Sequence, residues 1–334
     1  MKRIGHLLPN IADMDTIRYA YHLAKRGKEA KQEVMAFTKN LDRNLLRIHG
    51  QLERGSLDPI IYKSFEIFDP KPRTIYAAAF EQRVIQHAIM RVCDPVFERR
   101  QIFHNYACRR GKGTYAAIDA VYDRASRYTW YLKLDFRKYF DSIQHDFVKQ
   151  QLSCIIKDPT VLNLFSHIID SYTVAPYRGL PIGNLTSQYL ANHYLNEMDH
   201  MVIRLPYSLF YARYMDDTVY LSTAKEDLLL VYDIVKSYAK ATLGLALKPP
   251  ILNRIEHGIP FLGYRIFYHD IRLSARSRQR FIKKYKYYTQ MHLQGNWSDK
   301  EYQRRLSPLY SFASKASTTN LIRKWINIIE APTV

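Results

Sequence analysis

The 334-residue sequence has few cysteines and no long apolar run. Its three cysteines, Cys93, Cys108 and Cys154, are odd in number and share no spacing typical of a metal site. Reduced thiols in a cytosolic protein are the simplest interpretation, so we expect a cytoplasmic location. No apolar stretch approaches the roughly 18 to 20 residues that a membrane-spanning helix needs. The N-terminus lacks the apolar core of a signal peptide. We therefore expect neither a secreted disulfide scaffold nor a membrane protein.

Acidic residues are scarce relative to basic ones. Lys and Arg number 50 against 31 Asp and Glu, which gives a formal net charge of +19. The surplus extends from Lys2 to Lys324, and counterion release from phosphates favours a polyanionic partner. Many of the 27 tyrosines lie beside basic residues, as in FIKKYKYYTQ, which suits stacking on nucleic-acid bases. A membrane surface, or tyrosines that only cover the protein surface, are the alternatives.

The order of predicted elements indicates the fold class. The chain has no internal repeat, low-complexity segment or Gly/Ser linker. Apolar periodicity predicts helices at 13–55, 80–98 and 114–128, and a basic, helix-rich tail from Arg272 onward. Strands are predicted in IIYKSFEIFDPKPRTIYAAAF around a turn at 69–72, in WYLKLD, in SLFYARYMDDTVYLS, in ALKPPILNR and in IPFLGYRIFYH. Because β and α segments do not alternate regularly, we predict an α+β fold.

The stretch RYMDDTVYL, residues 213–221, places two adjacent aspartates beside a run of β-formers. Asp is depleted in strands and common in turns, so a hairpin with a solvated acidic tip is one interpretation. The other is a pair of carboxylates raised on rigid strands to hold divalent metal ions. Asp135 ends the strand YLKLD and adds a third carboxylate, although alone it is an ordinary strand-end residue. Three carboxylates on adjacent strands suit two Mg²⁺ ions.

These motifs, taken together, resemble those of the reverse transcriptases. YMDD is close to a signature of that family's catalytic loop, and KLDFRKYFDSI resembles its first catalytic strand. The blocks PKPRTI, YACRRGKGT, GLPIGNLTSQYLANHYLNEMD, LGLALKPPI and FLGYRI occur in the family's order. The resemblance implies an RNA-directed DNA polymerase with a right-hand fold. Its expected parts are an N-terminal helical segment at 1–60, fingers and an antiparallel-sheet palm at 61–270, and a basic helical thumb at 271–334.

The resemblance also implies a catalytic set. Asp135 and Asp216 resemble the principal metal ligands, and Asp217 completes the acidic group. The expected cofactor is a pair of Mg²⁺ ions, with Mn²⁺ as a substitute. Lys248 falls where the family often has a lysine near the leaving pyrophosphate, and it is the expected general acid.

Further positions match residues that contact the nucleotide, template or primer. Phe140, five residues after Asp135, falls at the steric-gate position, where an aromatic ring excludes a ribose 2′-hydroxyl; a core Phe is the alternative. Lys71 and Arg73 resemble residues that hold the triphosphate, with solvated turn charges as the alternative. The remaining expected substrate-binding residues are Arg109, Phe136, Ile182, Gly183 and Gln188. The expected primer grip is Phe261, Leu262, Gly263 and Tyr264.

The block that starts at Gly179 narrows the resemblance. Most of the family has Pro-Gln-Gly and then Ser-Pro, whereas this chain has Ile182 after Pro181 and ends the motif with Ser187-Gln188. That pattern is similar to the reverse transcriptases of diversity-generating retroelements, which copy a template RNA with errors opposite adenine. The expected partners are template RNA, primer or cDNA, deoxynucleoside triphosphates and a small helical accessory variability protein, with no membrane.

Three other kinds of protein are alternatives to a reverse transcriptase of this type. A retron or abortive-infection type reverse transcriptase shares the chemistry but fits the Ile182 and Gln188 pattern less well. A group II intron maturase is disfavoured by the roughly 60 residues that follow FLGYRI. An RNA-binding protein on an inactive polymerase scaffold would have no need of the three aspartates.

Overall fold

The computed structural model describes residues 2–68 and 72–317 of the chain. Its helices are α1 Leu8–Ala12, α2 Met14–Lys25, α3 Gln32–Lys39, α4 Leu41–Arg54, α5 Phe80–Glu98, α6 Thr114–Ala125, α7 Tyr139–Ser142, α8 His145–Ser153, α9 Pro159–Asp170, α10 Leu185–Tyr194, α11 Asn196–Val202, α12 Lys225–Ala241, α13 Ala275–Leu293 and α14 Asp299–Ser314, with a short 3₁₀ turn at Ile255–His257. Its strands are β1 Tyr62–Ile67, β2 Arg73–Ala78, β3 Trp130–Leu134, β4 Leu209–Tyr214, β5 Asp217–Ser222, β6 Ile251–Arg254, β7 Ile259–Phe261, β8 Tyr264–Ile266 and β9 Ile271–Leu273. No helix of the described residues is long and apolar enough to cross a membrane.

The chain forms two compact units, each built from separate stretches of sequence. Unit 1 comprises residues 1–103, 136–204 and 235–247, and unit 2 comprises 104–135, 205–234 and 248–334.

Helices dominate unit 1. The Asp13 side chain accepts a hydrogen bond from Thr16 N at 2.9 Å and so caps the start of α2. One face of α2 is buried and packs against α5. The helix α4 ends at Gly55, whose φ of +64° is the left-handed conformation that favours glycine at this position. The helices predicted at 13–55, with a terminal glycine, and at 80–98 are confirmed.

Unit 1 also contains the two-stranded antiparallel sheet β1–β2. Tyr62 pairs with Ala78 and Ile67 pairs with Arg73, so both predicted strands are confirmed. Three residues of the predicted turn, 69–71, lie outside the described residues. The edge of β2 that faces away from β1 makes hydrogen bonds with residues 182 and 184 of unit 1.

Unit 2 is organised around a four-stranded antiparallel sheet in the order β4-β5-β3-β6. The helix α6 shares a buried cluster with side chains of β3, β4 and β5. The strand predicted in WYLKLD and the hairpin predicted in SLFYARYMDDTVYLS are confirmed. The helix predicted at 114–128 is present but ends at Ala125.

A three-stranded sheet, β7-β8-β9, and the helices α13 and α14 complete the described part of unit 2. The predicted helical tail from Arg272 was wrong at its start, because Arg272 lies in β9. The helix α13 begins only after Ser274, whose side chain accepts from Ser277 N at 3.2 Å and caps it. Phe281 and Tyr285 of α13 are buried, whereas Lys283 is exposed.

Candidate active site

The two adjacent aspartates lie at a tight turn between β4 and β5. Tyr214 pairs with Asp217, which leaves Met215 and Asp216 as the two turn residues. Met215 has a φ of +54°. Positive φ at the first central residue is the arrangement of a type II′ hairpin turn, and it is strained for a residue with a side chain. Asp216 therefore lies in a turn, as the residue type predicts, and Asp217 begins β5; the turn is strained and joins the ends of two strands.

A buried arginine fixes this turn. Arg213 is fully buried, and its Nη1 donates to the Met215 carbonyl oxygen at 3.0 Å. Its backbone N donates to His104 O at 3.0 Å, and its carbonyl accepts from Tyr106 N at 2.9 Å. The turn is thus tied to its own strand and to the neighbouring segment. Sequence reasoning missed Arg213, although a charged residue inside an apolar strand was a signal for it.

The strand β3 brings the third carboxylate to the same place. Leu134 pairs with Thr218, and Thr218 Oγ1 donates to Leu134 O at 3.3 Å. Continuing this register by one residue sets Asp135 beside Asp217. Because directly opposite residues of paired strands point to the same face of a sheet, both carboxylates lie on one face. The three predicted metal ligands are therefore gathered at one end of β3 and β5.

Two lysines partly neutralise these carboxylates. Lys248 Nζ donates to Asp135 Oδ2 at 2.5 Å, and its backbone N donates to Asp135 O at 2.9 Å. Lys133 Nζ lies 3.3 Å from Asp217 Oδ2, in the diagonal cross-strand position. Lys248 was predicted as a site residue and Lys133 was not. The spacing of Lys133 two residues before Asp135, on the same strand face, was the signal that could have found it.

Burial makes negative charge costly at this site. It raises the pKa of the Asp217 carboxyl to about 7, and the charges of Asp135 and Asp216 add to the rise while Lys133 opposes it. The pKa of Asp216 is also raised, first by burial and then by the charge of Asp135, with Lys248 opposing. The carboxylates therefore favour the approach of a cation.

The donor set fits a divalent metal ion. Asp217 Oδ1 is buried and has no hydrogen-bond partner among the described residues. No three His, Cys, Asp or Glu side chains within 2–68 and 72–317 form a ready-made metal cage. Mg²⁺ does not require one, because it usually binds one or two carboxylates together with waters and substrate phosphates.

Unit 1 brings together a second group of predicted site residues. The carbonyl of Phe140, in α7, accepts from Leu180 N at 2.9 Å. Two residues further on, the Ile182 carbonyl accepts from Tyr76 N of β2 at 2.8 Å. The backbone thus joins the predicted steric-gate position, the segment of Ile182 and the strand that begins with Arg73.

The other predicted substrate residues have varied surroundings. Arg73 and Gln188 are exposed, and Lys71 lies outside the described residues. Arg109 Nη1 donates to Asn105 O at 2.7 Å within its own loop. The Phe136 side chain is only 1% exposed, so a contact with substrate from this position would have to come from its backbone. All of these roles stay predictions.

The predicted primer-grip block is the hairpin of β7 and β8. Phe261 pairs with Tyr264, and the turn residues Leu262 and Gly263 have φ of +47° and +90°. The side chains of Phe261 and Tyr264 are buried, and Tyr264 OH donates to Phe312 O of α14 at 2.6 Å. A contact with a primer would therefore have to come from the turn, and that role also stays a prediction.

Comparison with known proteins identifies the family. Residues 69–266, more than half of the chain, match the family described as "Reverse transcriptase (RNA-dependent DNA polymerase)". The chain belongs to the reverse transcriptase family. The matched stretch contains five of the predicted site residues: Asp135, Phe140, Ile182, Asp216 and Asp217.

Curated relatives of this reverse transcriptase include intron-encoded proteins. The "Putative COX1/OXI3 intron 1 protein" of Saccharomyces cerevisiae is 24% identical over 142 residues, which is 39% of this chain and 17% of that protein. The "Group II intron-encoded protein LtrA" of Lactococcus lactis is 26% identical over 145 residues, 40% of this chain and 24% of that protein. The aligned region thus spans a quarter or less of the length of these two relatives.

A solved structure shows the same fold. Telomerase from Candida tropicalis, in complex with a fragment of telomeric RNA, superposes with a TM-score of 0.51 at 11% identity, over 82% of this chain and 56% of that chain. The reverse transcriptase therefore has the right-hand polymerase fold of the α+β class, as the sequence predicted.

The raised pKa of Asp217 predicts how pH affects stability in the metal-free protein. A carboxyl whose folded pKa of about 7 exceeds its ordinary value of 3.8 is most stable when protonated, so its contribution is full below about pH 4 and is lost as pH rises to 7. With EDTA present, we expect Asp217→Asn to raise the free energy of unfolding at pH 8 by about 2 to 4 kcal/mol and to change little at pH 4. Denaturant unfolding at both pH values measures this. Asp233→Asn, at an exposed position, is the control. An equal effect at both pH values would contradict the assignment.

Proposed function

We propose that this reverse transcriptase synthesises DNA on an RNA template by two-metal nucleotidyl transfer. The observation that carries the proposal is the gathering of Asp135, Asp216 and Asp217 at one end of the β3–β5 pair in a chain of this family. Acidic side chains of a binding-only protein would have no reason to bear the raised pKa values of Asp216 and Asp217.

Each residue of the site has a part in this reaction. Asp135 and Asp216 would hold the metal ions, and the unpartnered oxygen of Asp217 completes the set. Two Mg²⁺ ions, or Mn²⁺ in their place, would supply Lewis acidity for the attacking 3′-hydroxyl and the leaving pyrophosphate. Lys248, which donates to Asp135 Oδ2 at 2.5 Å, would give a proton from its Nζ to the pyrophosphate as that group leaves. Arg213 holds the turn so that Asp216 does not need to reorganise.

The proposed substrates are supported by the net charge and by predicted substrate-binding residues of both units. The net charge of +19 suits a template RNA and its primer or cDNA strand. Arg73, with Lys71, would contact the triphosphate of a deoxynucleotide, and Phe140 would exclude the ribose 2′-hydroxyl. The turn at Leu262-Gly263 would contact the primer end.

We further propose error-prone cDNA synthesis for a diversity-generating retroelement, with a small helical accessory variability protein as partner. Ile182 supports this proposal, because it replaces a polar side chain with one that offers no hydrogen bond. A second candidate is an intron-type reverse transcriptase that copies its own intron RNA, and the intron-encoded curated relatives favour it. Sequencing the RNA and cDNA that copurify with the protein distinguishes the two, because adenine-directed changes belong only to the first.

The metal assignment is tested by Asp216→Asn. A neutral amide is a poor ligand for a hard cation, so we expect primer extension on RNA with Mg²⁺ to fall by roughly a thousandfold or more. The melting temperature should stay at or above that of the wild type, because a buried carboxyl with a raised pKa is removed. Asp233→Asn is again the matched control. Extension close to the wild-type rate would refute the assignment.

The steric gate is tested by Phe140→Ala. Removal of the ring should let a ribose 2′-hydroxyl fit, so the ratio of kcat/KM for ribonucleotides to that for deoxynucleotides should rise, by roughly tenfold or more. Phe147→Ala, which removes a half-buried ring of α8 in the same unit, is the control for general loosening of the fold. An unchanged ratio in the Phe140 variant would mean that Phe140 only packs.

The mutagenic hypothesis is tested by Ile182→Gln. A site with a hydrogen-bonding group discriminates more strongly than an apolar one, and about 1.4 kcal/mol gives each tenfold change in error. We expect misincorporation opposite adenine to fall more than misincorporation opposite the other template bases. Sequencing of cDNA made by both proteins on one RNA template measures this. Equal adenine error in both would remove the physical support for a mutagenic enzyme.

A further inference from the structure

Asn184 stands at the position that precedes α10, yet its side chain does not cap that helix. Asn is among the best capping residues, because its side-chain oxygen satisfies the free N–H groups of a helix start. The residue is only 2% exposed, so its amide must find partners in the protein interior. A residue that could stabilise its own helix is therefore held by something else.

The two shortest hydrogen bonds of the Asn184 side chain join it to backbone groups of β2, and a longer one, from Nδ2 to Pro181 O at 3.5 Å, stays within its own segment. Its Nδ2 donates to Tyr76 O at 2.7 Å, and its Oδ1 accepts from Ala78 N at 3.2 Å. Tyr76 N donates in turn to Ile182 O at 2.8 Å. Groups of residues 76 and 78 point to the same edge of β2, because alternate residues of a strand share an edge. The side chain of Asn184 and the carbonyl of Ile182 thus substitute for a third strand.

Gly183 allows this close approach. Its φ is +112°, and a Cβ atom there would lie 2.5 Å from Ile75 Cγ2. Any side chain at residue 183 would force Ile75 or the segment to move, and it would also be strained at this φ. The position of Ile182 relative to β2 is consequently fixed in two ways, by the hydrogen bonds of residue 184 and by direct packing at residue 183.

We propose that Asn184 is a positioning residue for nucleotide selection, which fixes the segment of Ile182 against the strand that carries Arg73. The inference rests on the proposed function, because it assigns Ile182 to the nascent base pair and Arg73 to the triphosphate. Arg73 lies three residues before Tyr76, about 10 Å along the strand. The hydrogen bonds of Asn184 to Tyr76 O and Ala78 N, here called the tether, therefore hold Ile182 and Arg73 at a set separation. These are the residues that would contact opposite ends of one nucleotide.

The test is Asn184→Ser. Serine caps helices well, so α10 keeps or gains stability, while its short side chain cannot bridge both Tyr76 O and Ala78 N. Asn184→Asp is the second variant, because a carboxylate still accepts from Ala78 N but cannot donate to Tyr76 O. Asn44→Ser is the matched control. Asn44 Nδ2 also donates to a backbone carbonyl, Phe37 O at 2.9 Å, but in the N-terminal helices of unit 1.

Two kinds of measurement are made on the full chain. Hydrogen exchange reports the hydrogen bonds between Asn184 and β2. We expect faster exchange at the Tyr76 amide in both Asn184 variants, faster exchange at the Ala78 amide in Asn184→Ser alone, and neither change in the control. Single-nucleotide extension on an RNA template reports selection. We expect the KM for the complementary deoxynucleotide to rise about tenfold with kcat within about threefold, the effect of losing one or two hydrogen bonds. Misincorporation should rise opposite all four template bases alike.

Failures of the two proposals can be told apart. If wild type extends primers, but the Asn184 variants keep its KM and error frequency despite faster exchange, the residue is only structural and the inference is overturned. If exchange at Tyr76 and Ala78 is unchanged, there is no tether and the inference is also overturned. If wild type does not extend any primer on RNA, the proposed function fails and the inference fails with it.

Discussion

The guanidinium of Arg213, buried beneath the turn of Met215 and Asp216, is the contact on which the geometry of the site depends. A left-handed methionine backbone is unfavourable in isolation, and it persists only where its surroundings determine it. Here a charged donor on the same strand binds the carbonyl of the strained residue. Because β5 pairs with both β4 and β3, a change in this turn would shift Asp217 and its register with Asp135.

Charge balance at the carboxylates is the second constraint. Three acidic groups in a partly dry environment would repel one another, and Lys133 and Lys248 reduce that repulsion before any metal ion arrives. Each lysine holds one oxygen of one carboxylate, and Asp217 keeps an oxygen without a partner among the described residues. The negative charge of the three carboxylates is thus partly compensated by the two lysines.

Much of this could be predicted from the sequence, for identifiable reasons. Periodic helices and strands bounded by Asp, Gly and Pro follow local rules, and the hairpin of β4 and β5 was recognised from its residues alone. The contacts of Lys133, Arg213 and Asn184 were not predicted, because each depends on a partner brought near by tertiary pairing; the sequence marked the first two residues as unusual but did not name their partners. The burial of Phe136 and the start of α13 at Ala275 were likewise decided by tertiary packing and by a single serine cap.

The division of the chain into two interleaved units has a consequence for its synthesis. The polypeptide passes from one unit to the other after residues 103, 135, 204, 234 and 247. Neither unit can be completed until the ribosome has made the segment near residue 247, and the central sheet of unit 2 still lacks β6 at that point. The segments made earlier therefore lack their long-range contacts until then. Such late contacts slow folding, and they leave strand edges exposed to pairing with other chains. No single cleavage of the chain would release either unit whole.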